Sequence, residues 1–417
     1  FAELPKIDNA PTLLLYMHFD GRAVDPEKWE QENPYQVVLK EKDEEGDWKQ
    51  IAWERLGEFN PDWRIFGRTT ADDKGPIIMF LHAMDMLMNS DAVIRWNVKV
   101  LLDSEEEKGS KPLAAAVKKY KDKLAADYLL IHDGPMHLSG KPTLIFGCRG
   151  ITRLDLKVFG PSKAQHSGHF GNFAPNPVFR MSKLLSSMKD DKGRVLIEGY
   201  YEGIEMDSAT RAVLAGVPDD QEMIYEKLEI AQAEEVGRNY QESLQYPSLN
   251  VRGMRSAWVG DEARTIVPAE ATAAIDIRLV PESDPEKLIA AVRKHIEAQG
   301  YYISSEAPTA KERKIYPKIC QFNSGEATLP FRTELTEDFA IWLEALMTAT
   351  HGEKPVKIRI MGGTVPIAAF IHELQIPAII LPMVNADNNQ HSPNENLKLS
   401  QLPYGILTFL SILVNRF

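Results

Sequence analysis

Five short stretches of this chain carry side chains that can hold a metal ion or move a proton: His18-Phe19-Asp20, Asp72-Asp73, Glu105-Glu106-Glu107, His132-Asp133 and His391. Adjacent carboxylates repel, so a run of three is costly unless a cation or water compensates it. Taken singly, each stretch has a plain structural reading: a solvated acidic loop for Glu105 to Glu107, a helix N-cap and its neighbour for Asp72-Asp73, a paired ring for His18-Phe19-Asp20, an exposed loop histidine for His391. Taken together, His18, Asp72, Glu107, Asp133 and His391 offer imidazole and carboxylate donors that suit zinc, and also manganese or cobalt. Five ligands exceed what one catalytic zinc needs and suit two metals sharing one bridging carboxylate. Such a pair polarises a carbonyl and acidifies a bridging water. A further carboxylate must then take the water's proton and pass it to the leaving amine, and Glu106, beside Glu107, can do so without ligating.

These residues need a scaffold that brings distant segments together. Thr12 to Met17, Trp96 to Leu102 and Asp127 to Ile131 are apolar runs of buried-strand type, and each ends in an acid or a histidine. His18 and Asp20 share a face of an extended strand, so the carboxylate can orient the ring. Pro76 suits the first turn of a helix that follows Asp72-Asp73. Repeated strand, acid and helix is the pattern of an α/β sheet whose chemistry lies at the strand carboxyl ends. After Gly150 the strands alternate apolar and polar, as in Ile151 to Gly160 and Ala271 to Val280, the mark of a sheet with one wet face.

The expected fold is therefore α/β: a catalytic domain with a mostly parallel, helix-flanked sheet, in two parts (1–149 and 331–417), and an inserted α+β domain with an antiparallel sheet (150–330). Residues 26–64 read as a hairpin or surface excursion, and residues 200–250 as acidic and mostly helical. Met361-Gly362-Gly363-Thr364-Val365-Pro366 reads as a tight turn whose N–H groups can face an anion. Residues 406–414 read as a packed terminal helix.

The chain has 417 residues, 44% apolar, with a net charge of −12. That charge argues against nucleic acid or an anionic membrane as partner. No apolar run approaches the ~18 residues of a membrane span. Cys148 and Cys320 provide no disulfide framework; they fit the cytoplasm, the favoured compartment, without excluding secretion. The chain starts at Phe1 directly in strand-like sequence, as if trimmed ahead of it.

The segments His18-Phe19-Asp20, Gly67-Arg68 through Asp72-Asp73-Lys74-Gly75, Glu106-Glu107-Lys108-Gly109-Ser110, His132-Asp133, His166-Ser167-Gly168, Gly362-Gly363-Thr364-Val365-Pro366 and His391-Ser392-Pro393-Asn394-Glu395 resemble, in order, the co-catalytic metallopeptidase family of carnosinase-like dipeptidases, glutamate carboxypeptidases and aminoacylases. Tyr246 to Val251 and Ile277 to Pro281 are most similar to the carnosinase-like branch. The resemblance implies two divalent ions per chain, zinc first and manganese or cobalt as alternatives. His18 and Asp133 would hold one, Glu107 and His391 the other, with Asp72 bridging them through a cis Asp72-Asp73 peptide. Asp20 would orient His18, and Glu106 would serve as general base and acid. The inserted domain would be a lid that also forms a homodimer, with His166 reaching the other subunit's site to stabilise an oxyanion. Arg278, Gly363 and Thr364 would hold the substrate's terminal carboxylate. The implied activity is hydrolysis of dipeptides or of C-terminal residues of short peptides; an N-acyl amino acid deacylase and a non-catalytic binding protein on the same fold are the alternatives. The chain departs from the family pattern in lacking a helical segment ahead of the first strand, in Thr364 where serine is usual, in having no histidine between 305 and 335, and in a long 36–64 region.

Overall fold

The computed structural model describes residues 1–365 and 367–417; Pro366, at the end of the Gly-Gly turn, lies outside the described residues. Thr12–His18 is a strand in which every residue after Thr12 is buried. Leu13, Leu15 and Met17 enter one hydrophobic layer, Leu14 and Tyr16 another, the period of two of a strand covered on both faces. It lies inside a seven-stranded sheet in the order Ala2–Glu3, Asn97–Asp103, Thr12–His18, Tyr128–Ile131, Ala378–Ile380, Thr143–Ile145, Val356–Ile358. The run from Asn97–Asp103 to Ala378–Ile380 is parallel; Ala2–Glu3 and the contact of Ala378–Ile380 with Thr143–Ile145 are antiparallel. The strand Asn97–Asp103 is less buried than its composition suggests, with only Val98 fully covered, because it lies one strand from the sheet edge.

Helices Lys74–Met88, Asp338–His351 and Gln401–Val414 cover one face through Met79, Phe80, Ala83, Phe339, Leu343 and Phe409. Helices Leu113–Lys119, Lys121–Leu124 and Ala368–Leu374 cover the other through Leu113, Val117, Leu124 and Phe370. Gly405 lets the first and last helices approach, since a Cβ there would run into the Met79 side chain.

A second sheet orders Asn250–Arg255, Glu270–Leu279, Gly150–Phe159, Ile319–Ser324 and Tyr302–Ser304, antiparallel except for its last pair. Its inward residues, among them Leu154, Leu156, Val158, Ala273, Ile275 and Ile277, form their own core with helices Pro177–Ser186 and Pro285–Ala298. A small cluster of Leu244, Val280 and Ile360 lies where this unit meets the first.

Two stretches differ from expectation. Residues 200–250 contain only the short helices Ser208–Ala215, Gln221–Leu228 and Tyr240–Ser243, because Asp207, Asp220 and Asn239 each cap a new helix instead of continuing an old one. Residues 26–64 contain the expected hairpin, Val38–Lys42 with Trp48–Ile51, but it is part of a larger sheet. Val38–Lys42, Trp48–Ile51 and Arg64–Phe66 join Asn396–Lys398 in a four-stranded antiparallel sheet over a core of Leu39, Trp63 and Leu399. Pairing of Asn396 with Phe66 has a consequence for the site: the chain leaving Phe66 and the chain arriving at Asn396 lie side by side.

Candidate metal centre

The parallel strands end together. His18 is the last residue of its strand and lies opposite Asp103; the turn after Asp103 carries Glu106 and Glu107, and Asp133 follows Tyr128–Ile131 by two residues. Asp103 shapes its turn by accepting from Tyr16 Oη (3.0 Å), Ser110 Oγ (2.6 Å) and the Glu105 N–H (2.9 Å). Asp72 stands just ahead of helix Lys74–Met88, and the Asp72-Asp73 peptide is cis. Asp73 occupies the N-cap position but makes no side-chain cap. Its Oδ2 instead accepts the backbone N–H of His18 at 3.0 Å. The plain capping reading of this pair therefore fails, since the carboxylate is used to pin the His18 strand.

The five candidate ligands form two three-residue groups that share Asp72: His18, Asp72 and Asp133, and Asp72, Glu107 and His391, each with its donor atoms within 4.8 Å of one another. Asp72 turns one oxygen to each group, Oδ1 to His18 Nε2 at 2.9 Å and Oδ2 to His391 Nε2 at 3.0 Å. Asp133 Oδ1 is 3.9 Å from His18 Nε2, and Glu107 Oε2 is 3.0 Å from His391 Nε2. Asp20 serves both groups: Oδ1 is 3.3 Å from His18 Nδ1 and Oδ2 accepts the Glu107 N–H at 3.3 Å.

These residues fit divalent ions. His18 Nε2, Asp72 Oδ2 and Glu107 Oε2 are buried without a hydrogen-bond partner of acceptable geometry among the described residues, although all three have close neighbours. Buried polar atoms are normally satisfied, and three such atoms converging on one space suit a shared electrophile. Burial opposes charge on His18, but contact with Asp72 and the charges of Asp73 and Asp133 outweigh burial and push the ring up to about 11. Contacts with Asp72 and Glu107 push His391 up to about 10. Burial tends to raise Asp72, but the two imidazoles hold it below the usual carboxylate range. Burial, then the charge of Asp133, pushes Glu106 up to about 8; burial, with Asp72 adding to it, pushes Asp133 up to about 6. A divalent ion held by these residues would draw the raised groups down and hold Asp72 lower still.

A second cluster lies beside the first. Arg278 Nη1 donates to Thr364 Oγ1 at 2.7 Å, and Thr364 Oγ1 donates to the Arg149 carbonyl at 2.6 Å. The Arg149 N–H contacts the carbonyls of Met361 and Gly363, so Arg149 fixes the Gly-Gly turn. Its own guanidinium is buried and is pulled down to about 10, first by burial and then by the charge of Arg278. Two neighbouring guanidinium groups suit an anion. Buried Cys148 feels both Asp133 and Arg278, which places the two clusters within electrostatic reach of one residue.

His166 is not brought to the cluster within one chain. It is exposed and caps the short helix Ser167–Phe170 through Nδ1, which accepts the Gly168 N–H. Gly363 is exposed in its turn. The sequence reading missed Arg149 and also Arg22, whose Nε is 2.9 Å from Glu107 Oε2. Neither has a local signal beyond its charge.

The sequence signature of Peptidase family M20/M25/M40 matches residues 37–415. The chain is 27% identical over 428 residues to the Cys-Gly metallodipeptidase DUG1 of Saccharomyces cerevisiae, covering 96% of this chain and 78% of that one. It is 25% identical over 417 residues to the beta-Ala-His dipeptidase of Mus musculus, covering 95% and 75%. The crystal structure of the M20 family metallo-carboxypeptidase Sso-CP2 from Sulfolobus solfataricus matches with a TM-score of 0.77 at 27% identity, covering 99% of this chain and 86% of that chain.

The raised histidines predict proton release. In the metal-free protein their pairing stabilises the fold fully below their ordinary value of 6.5 and ceases to do so as pH rises through about 10 to about 11. An ion must displace those protons. Zinc added at pH 8 in weak buffer should release about two protons per chain and raise Tm, and Asp72→Asn should suppress most of both. Tight binding without proton release, read by an indicator dye alongside calorimetry, would exclude His18 and His391 as the groups displaced.

Proposed function

The chain belongs to peptidase family M20/M25/M40, and from that premise we propose that it is a dinuclear metal-dependent hydrolase of dipeptides, or of the C-terminal residue of short peptides. The observation that carries this reading is the pair of three-residue groups sharing Asp72, with Glu106 beside them and held in no ion pair among the described residues. His18 and Asp133 would hold one ion, Glu107 and His391 the other, and Asp72 both. Zinc is the first choice for this donor set. Such ions supply Lewis acidity, polarising the scissile carbonyl and lowering the pKa of bridging water.

The chain's own residues do the rest. Glu106 takes the water's proton at its carboxylate and delivers it to the leaving nitrogen. Glu106 stands outside both three-residue groups, so its carboxylate is free to hold that proton between the two transfers. Asp20 fixes the His18 ring, and Asp73 fixes the His18 backbone. Arg278, with Thr364 and the turn at Gly363, receives the substrate's free carboxylate; the relatives named as Cys-Gly and beta-Ala-His dipeptidases act on substrates with such a group.

A homodimer through the inserted domain, residues 150–330, completes the proposal, with residues 1–149 and 331–417 as the catalytic unit. Edge strand Asn250–Arg255 is exposed at every residue, Val251 and Met254 included, and Trp258 and Val259 just beyond it are exposed too. An uncovered edge is a template for pairing. A second copy there would let His166, unused within its own chain, serve its neighbour's oxyanion.

Three measurements test the parts separately, on a panel of dipeptides with free and amidated C-termini. Glu106→Gln should retain metal and lose about 10²–10⁴-fold in kcat; near-normal turnover would remove it as the base. For Arg278→Ala, KM for free-carboxylate substrates should rise by roughly 10–100-fold, the loss of one charged contact, with amidated substrates little affected. An equal change for both would mean that Arg278 holds no carboxylate. Inactive His166→Ala and Glu106→Gln chains should regain activity when refolded together, and silent mixed dimers would place His166 outside the partner's site.

A further inference from the structure

Glu395 lies beyond His391 in the same loop and is fully buried. Its carboxylate accepts four hydrogen bonds. Oε2 takes Arg68 Nη1 at 2.7 Å and the Thr69 N–H at 3.1 Å. Oε1 takes the Ala71 N–H at 3.0 Å and the Asp72 N–H at 2.9 Å. That uses the ~4 lone-pair sites of an ionised carboxylate. The Glu395 carbonyl also accepts the Gly67 N–H at 2.9 Å, and Arg68 Nη2 donates to the Ser392 carbonyl at 3.1 Å. One side chain thus closes around the loop that presents Asp72, from the loop that presents His391.

Each loop has a few internal hydrogen bonds, such as the Thr70 N–H to the Gly67 carbonyl and the Gln390 N–H to Asn388 Oδ1, but no regular structure. Residues 67–73 and 388–395 belong to no helix or strand. Thr69 sits at φ 71° and His391 at φ 61°, in the left-handed region that a β-branched or bulky residue adopts only when its surroundings impose it. The four-stranded sheet fixes where the loops begin, by pairing Phe66 with Asn396, but not the direction in which Asp72 points. The backbone N–H of Asp72 is held by Glu395 Oε1, and the same Asp72 splits its oxygens between His18 and His391.

We propose that Glu395 is the positioning residue of the ion site: it locks the Asp72 loop to the His391 loop and so sets the separation at which Asp72 can serve two ions. This rests on the reading of Asp72 and His391 as ligands. Glu395 touches no substrate and moves no proton; it acts through Asp72.

The experiment is zinc titration of the metal-free protein by calorimetry, with Tm read with and without metal, for the unmodified chain, Asp72→Asn and Glu395→Gln. The amide keeps the volume of the carboxylate but turns an NH₂ group toward two N–H donors. Glu395→Gln should weaken zinc about 10–100-fold, the usual effect of losing a group that orients a ligand, and should shrink the metal-induced rise in Tm. Zinc affinity within about twofold of the unmodified chain, whether or not the metal-free Tm falls, would overturn the proposal, because a purely structural carboxylate changes the fold's stability and not the ion's affinity. Should Glu395→Gln fail to fold, Arg68→Lys decides: it keeps the charge but loses the fork to Glu395 and Ser392, and it should weaken zinc by at least about threefold. An unchanged affinity there overturns the proposal. If Asp72→Asn leaves zinc binding intact, the metal reading itself fails; if Asp72→Asn weakens it and neither other variant does, only the role of Glu395 fails.

Discussion

The structure depends on one electrostatic constraint: Asp72, Asp73, Glu106, Glu107 and Asp133 are carried by three segments that converge on the same space. Two unit charges 4 Å apart interact by about 4 kcal/mol at an effective dielectric of 20. Several such repulsions would be a large fraction of a domain's net stability of about 5–15 kcal/mol. The molecule answers by dividing the carboxylates into unequal roles. Asp72 lies between two imidazoles and stays ionised, while burial and like charge push Glu106 and Asp133 upward. Asp73 is buried, raised, and spent on the His18 backbone. Environments that drive carboxyl pKa values apart let neighbouring carboxylates differ in protonation, so the cluster does not carry its full formal charge.

Bearing that load requires a rigid frame. The central parallel strands are covered on both faces, and Thr12–His18 is solidly buried along its length. Their register brings Tyr16, Ile131 and Ile380 level, so the loops beyond them emerge at one edge, the usual place for chemistry in such sheets. The His391 loop is the exception. It is anchored from a different sheet, through Asn396 and Phe66, and it reaches the cluster half exposed. The loop furthest from the rigid frame is therefore the one tied through Glu395 to the backbone of Ala71 and Asp72.

What the sequence made legible follows from how local each signal is. Strands ending in His18 and Asp133 are visible because the apolar run and the polar residue are contiguous, and the helix after Asp72 because Pro76 and the apolar residues after it are too. The order of the motifs along the chain then suggested which residues meet. Glu395 was quoted in a motif yet given no role, because its donors lie 323 to 327 residues away and a glutamate in a polar loop reads as solvated. Asp73 read as a cap, because nothing in Asp-Asp-Lys-Gly-Pro says that its carboxylate turns to another strand. Residues 200–250 read as helical from composition, while individual Asp and Asn side chains restart the helix three times. The 26–64 sheet was hidden for the same reason as Glu395: its fourth strand, Asn396–Lys398, comes from the far end of the chain.

The Arg278–Thr364 hydrogen bond links the inserted segment to the chain that follows it, and Arg149 stands at the junction, gripping the Gly-Gly turn with its backbone and the Tyr246 carbonyl with its guanidinium. In the proposed reading, a substrate carboxylate enters between Arg278 and the Thr364 hydroxyl. Its two oxygens would accept from Arg278 and from the Thr364 hydroxyl, which now accepts from Arg278 and donates to the Arg149 carbonyl. The anion would then add to a junction already held by Arg359 to Gln245, Arg332 to Glu282 and a small apolar cluster of Leu244, Val280 and Ile360. Substrates with a free carboxylate would be favoured because the group contributes binding on both sides of the junction.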